Sequence, residues 1–73
     1  MNESNQKEAQ KLDRALVRIN RAIERGVDKL ASLENADNDH PTELGKQRIA
    51  REIYAINHDG KRLKETTAKL AVL

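Results

Sequence analysis

An all-α fold, an antiparallel two-helix hairpin dimerising into a four-helix bundle, is what this sequence predicts, and three observations carry that reading. Leu12, Leu16, Ile19, Ile23, Leu30 and Leu33 recur at alternating steps of four and three residues, with Gly26 in the one slot without a large apolar residue. That spacing lines one stripe of a helix, as in a coiled-coil seam. The stretch "ENADNDHPTE" then interrupts the pattern. A second series, Ile49, Ile53, Ile56, Leu63 and Leu70, resumes the same steps once Gly60 and Thr67 take their places in it.

The first helix is expected over about 5–34. Asn2, Ser4 and Asn5 are candidate caps, and Asn5 with Glu8 has the spacing of a capping box. Ala15 and Ala22 border the apolar stripe and allow a second helix to come close. The turn is placed at 35–41, because Asn and Asp side chains favour turns and Pro41 disfavours helical backbone at His40. Pro suits the first turn of a helix, which makes Asp39 or His40 the expected cap and Glu43 a favourable charge near the new N-terminus. The second helix is expected from about 41 to 71, running through "NHDG" at 57–60 because the apolar phase does not shift there. The chain, 1–73, is then one helical-hairpin domain. Gly26 and Gly60 are each expected to admit a larger side chain from across the seam. Val17, Val27, Ala31 and Tyr54 lie off the strict stripe and are candidates to widen the buried face.

Size explains why a second copy is expected. Seventy-three residues form a domain whose core is hard to make secure alone. The absence of cysteine rules out a disulfide staple, and charged residues at 36% nearly equal apolar ones at 37%. A homodimer joined through Leu12, Leu16, Ile19, Ile23, Leu30, Ile49, Ile53, Ile56, Leu63 and Leu70 is the economical remedy. No apolar run approaches the roughly 18 residues that span a bilayer, and "MNESNQKEAQ" does not read as a secretory signal. The expectation is a cytoplasmic protein with no membrane contact.

The net charge of +2 hides a segregation. Residues 7–29 carry seven Lys/Arg against four Asp/Glu, and residues 44–73 carry seven against three, while 30–43 holds only Glu34, Asp37, Asp39 and Glu43. Two basic rods therefore meet at an acidic tip. Lys7, Lys11, Arg14, Arg18, Arg21 and Arg25 all fall on the outward side of the first helix. A face selected only for solubility usually mixes its signs. Lys11, Arg14, Arg18, Arg21 and Arg25 are thus the candidate contact with an anionic partner, RNA or DNA first and an acidic protein second. With Tyr54 the lone aromatic, stacking on single-stranded bases is not supported, and a duplex or folded RNA fits better.

Other chemistry has little footing. His40 and His58 stand far apart in sequence with no second His or any Cys at ligand spacing, so neither a metal nor any other cofactor is expected. Ser4, Ser32, Thr66 and Thr67 read as caps or helix-surface residues, and the three glycines are isolated rather than arranged as a phosphate loop. A non-enzymatic binding or regulatory module is the expectation. The alternative is an assembly subunit, adaptor or inhibitor acting by helix-to-helix contact.

Two family resemblances accompany this reading. In length, heptad pattern and basic outward residues the chain resembles the plasmid copy-number regulators called repressor of primer. That resemblance implies a hairpin dimerising into a four-helix bundle whose exposed helix face contacts paired RNA, and it carries no individual residue over. The turn, with Pro41, Leu44 and Tyr54, resembles that of type III secretion needle subunits. It lacks their second turn proline and their apolar, aromatic N-terminal segment, and the similarity covers about fifteen residues.

Overall fold

The computed structural model describes residues 3–73, which form two helices, α1 (Glu3–Asp39) and α2 (Glu43–Ala71), folded back on each other. The rod measures 57 × 14 × 13 Å. Its length is that of α1 alone, about 55 Å for 37 residues at 1.5 Å per residue. α2 has 29 residues, so the first turns of α1 extend about 12 Å beyond its end.

The reversal is tighter than expected. α1 continues through 35–39 to Asp39, where the turn was expected to have begun, and His40 N–H still donates to Ala36 O at 3.0 Å. The cap of α2 is Thr42, not Asp39 or His40, so Pro41 precedes the cap instead of opening the helix. Thr42 is extended (φ −132°, ψ 155°), and its Oγ1 accepts from Gly45 N at 2.9 Å. Asp37 Oδ1 accepts from Thr42 N at 3.3 Å. This bond explains why the helix outlasts its Asn/Asp-rich end, since acids near a C-terminus oppose the helix dipole unless a donor meets them. A Cβ on Gly45 would stand 2.9 Å from both Asp37 Oδ1 and Thr42 Oγ1, so the compact turn depends on a residue without one. At the other end, Asn2 lies outside the described residues, and Ser4 and Asn5 sit inside α1, so neither caps it.

The seam of α1 is the expected one. Leu12, Leu16, Ile19, Ile23, Gly26, Leu30 and Leu33 are all buried or half-buried. Ile19, 4% exposed, is the one buried apolar side chain among the described residues, so the core is thin. On α2 the phase differs. The half-buried residues are Gly45, Ile49, Glu52, Ile56, Asp59, Gly60, Leu63, Thr66 and Leu70, whereas Ile53 is 42% exposed and Thr67 faces solvent. Ile49, Ile56, Leu63 and Leu70 repeat every seven residues and belong equally to two stripes, one completed by Ile53, Gly60 and Thr67, the other by Glu52, Asp59 and Thr66. Cross-helix packing selects the second. A Cβ on Gly26 would lie 3.0 Å from Ile56 Cγ1 and 3.2 Å from Glu52 Oε1, so α2 approaches α1 through the space that glycine leaves. Gly60 does not repeat this, for an added Cβ there would meet nothing within 4 Å. The helix runs unbroken through 57–60.

Candidate functional site

With a and d assigned to the half-buried positions, α1 has a at 9, 16, 23, 30 and 37, and α2 has a at 49, 56, 63 and 70. In an antiparallel pair, positions g and c of both helices share one flank of the hairpin, and e and b share the other. The two flanks differ in kind.

The g/c flank carries Lys11, Arg18, Arg25 and Lys29 from α1 and Arg48, Arg51, Arg62 and Lys69 from α2, against the acids Glu8, Asp39 and Glu65. Two open grooves cross the helix boundary on this side. One is lined by Lys29, Leu33, Arg48, Arg51 and Glu52, the other by Ala15, Arg18, Ile19, Ala22 and Arg62. Ala15 and Ala22 keep the floor of the second groove low, with the Arg18 and Arg62 side chains at its rims.

Two acids temper this flank from within. Glu52 occupies an inward position, its side chain 16% exposed, and Lys29 Nζ approaches its Oε2 at 3.4 Å. Asp59 Oδ1 lies 3.7 Å from Arg62 Nη1 one turn along. Among the described residues Arg18, Arg25, Arg48 and Arg51 form no ion pair, so their guanidinium groups keep their donors for a ligand.

The five residues singled out in the sequence divide between two surfaces. Lys11, Arg18 and Arg25 are at c, turned toward α2, while Arg14 and Arg21 are at f, on the back of α1. All five are exposed. The contributions of Arg48, Arg51, Arg62 and Lys69 were not visible from spacing, because the Ile53 stripe would have placed them on the back of α2. The phase that buries Glu52 rotates them onto the flank beside α1. The readable signal was Gly26, a gap in an otherwise regular seam that calls for a close neighbour.

Exposed guanidinium groups are donors of the kind that can pair with anionic groups. Among the described residues no three His, Cys, Asp or Glu side chains group in a way that could hold a metal ion. His40 borders a groove at the turn with Asp37, Thr42 and Leu44, and His58 is exposed on α2. Ser32, Thr66 and Thr67 donate their hydroxyls to the carbonyls of Asp28, Arg62 and Leu63 in their own helices, at 3.3, 2.8 and 2.8 Å. No helix among the described residues is long and apolar enough to cross a membrane. No family model, no curated protein and no solved structure matches the chain.

Proposed function

We propose that this chain is a small, non-enzymatic helical-hairpin module that pairs with itself into a four-helix bundle and contacts a duplex nucleic acid through its basic g/c flank. The observation that carries this reading is the convergence of arginines from both helices on one side of the rod. Arg18 and Arg25 from α1 stand beside Arg48, Arg51 and Arg62 from α2, over a stretch of about 20 Å at 1.5 Å per residue. Arginine can pair bidentately with phosphate oxygens, and a two-row patch on a rigid rod can meet more than one phosphate at once. Tyr54, the one aromatic residue, lies on the back of α2 and offers no stacking platform on this flank.

Binding of labelled duplex RNA and duplex DNA, followed by anisotropy across a salt series, tests the reading. On B-DNA the log–log slope should be about −0.9 for each phosphate neutralised. The variant Arg18→Glu/Arg25→Glu/Arg51→Glu should bind at least tenfold more weakly and with a shallower slope, at unchanged helicity. Equal affinity of the triple variant refutes the assignment. Absence of salt-dependent binding to either duplex redirects it to an acidic protein, the other anionic partner this surface fits.

A second reading, an assembly subunit or inhibitor acting by helix contact, is favoured by the apolar residues left exposed on the e/b flank. Under that reading, charge reversals on the g/c flank are tolerated.

A further inference from the structure

We infer that the e/b flank is where a second copy of this chain docks, in the arrangement that lays α1 of each hairpin against α2 of the other. The inference deepens the self-association proposed above, because it names the surface, the pairing and the relative direction of the two copies.

Area is the first support. The chain exposes 5885 Å². A compact monomer of 8.3 kDa exposes about 4,600 Å² by the usual scaling of surface with mass. The excess of about 1,300 Å² per chain amounts to about 2,600 Å² for a pair, within the range of obligate homodimer interfaces. With Ile19 the one buried apolar side chain among the described residues, a second hairpin is what this fold lacks.

The choice of flank follows from apolarity and charge. On the e/b side, Val27 is 50% exposed, and Ile53, 42% exposed, belongs to the opposite helix. The register that sets Lys29 beside Glu52 and Gly26 beside Ile56 puts these two at the same level of the rod. The g/c side cannot serve, because two copies meeting there would bring arginine against arginine.

The sign pattern then selects the pairing. Along e and b, the charged residues of α1 are Glu3, Asp13, Glu24 and Glu34, all acidic, and those of α2 are Glu43 in its first turn and, beyond it, Lys46 and Lys64, which are basic. A two-fold axis across the rod would set acids against acids and lysines against lysines. An axis along the rod sets α1 against α2 at preserved levels. Glu34 then meets Lys46 of the other copy, Asp13 comes near Lys64, and Val27 covers Ile53. Both turns lie at the same end of the bundle. Each contact occurs twice, as an isologous interface requires.

Light scattering of the purified full chain and its variants tests this. The chain should show twice its 8.3 kDa mass. Lys46→Glu/Lys64→Glu should halve that mass at matched concentration, and adding Asp13→Lys/Glu34→Lys should restore it, because the 34–46 and 13–64 contacts are again opposite in sign. These four residues are exposed on the hairpin, and circular dichroism of each variant checks that the helices persist. A wild-type chain of single-chain mass overturns the proposal. So does a lysine-reversed variant of undiminished mass, or failure of the fourfold swap to recover it. The nucleic-acid reading is judged separately, by the Arg18/Arg25/Arg51 variant, which should keep the wild-type mass while losing binding.

Discussion

Gly26 and Gly60 occupy comparable places in the sequence, yet the structure predicts opposite outcomes when each acquires a side chain. Glycine inside a helix costs about 1 kcal/mol relative to alanine. At Gly60 an added Cβ meets nothing within 4 Å in the hairpin, so Gly60→Ala recovers that amount within the single chain. For a domain of this size, 1 kcal/mol moves Tm by about 4–8 °C. At Gly26 the same carbon lies 3.0 Å from Ile56 Cγ1 and 3.2 Å from Glu52 Oε1, well inside the 3.5–4.0 Å that carbon contacts prefer. Gly26→Ala therefore offsets most of its propensity gain by pushing Ile56 away. Gly26→Val, bulkier at the contact, destabilises by about 1–3 kcal/mol, the usual range for overpacking. Thermal unfolding followed at 222 nm should rank the proteins Gly60→Ala, Gly26→Ala, Gly26→Val from highest Tm to lowest. Two protein concentrations separate this ranking from self-association, which shifts Tm by mass action. If Gly26→Ala raises Tm as much as Gly60→Ala, the helices do not approach through Gly26, and the phase assigned to α2 fails with it.

Three further outcomes follow from local chemistry. Thr42→Ala removes the acceptor for Gly45 N–H, and a lost cap costs about 1 kcal/mol, read as a lower denaturant midpoint at unchanged slope. Lys29 is well exposed, so Lys29→Ala should cost less than about 1 kcal/mol, an effect that fades with added salt. Glu52→Leu, by contrast, should raise Tm, because it places an apolar side chain at a mostly buried position facing α1. A lower Tm for Glu52→Leu would mean that the ion pair with Lys29 outweighs apolar burial there.

Helical periodicity was readable because it is a property of one strand of chain at a time. The seam of α1, the reversal near Pro41 and the passage of α2 through 57–60 all follow from patterns within a single segment. The phase of α2 did not, since Ile49, Ile56, Leu63 and Leu70 satisfy two stripes whose centres lie about 50° apart, and only contact with α1 distinguishes them. Apolarity alone favours Ile53 over Glu52 at the inward slot. Backbone approach at Gly26, with Lys29 positioned to neutralise Glu52, reverses that preference. The basic site inherited the same ambiguity, which is why the α1 arginines were recognised and their neighbours on α2 were not. The turn came out shorter because Asp37, read as a turn former, instead accepts from Thr42 N across the reversal.

Each flank of this rod is a mosaic of residues from both helices, and that has a thermodynamic consequence. Neither the cationic strip nor its mixed-sign opposite exists on an isolated helix, so whatever attaches to one of them binds the closed hairpin and not the open chain. Any ligand must then raise the melting temperature by linkage, and a substitution that loosens the thin core must weaken attachment even where it touches no ligand.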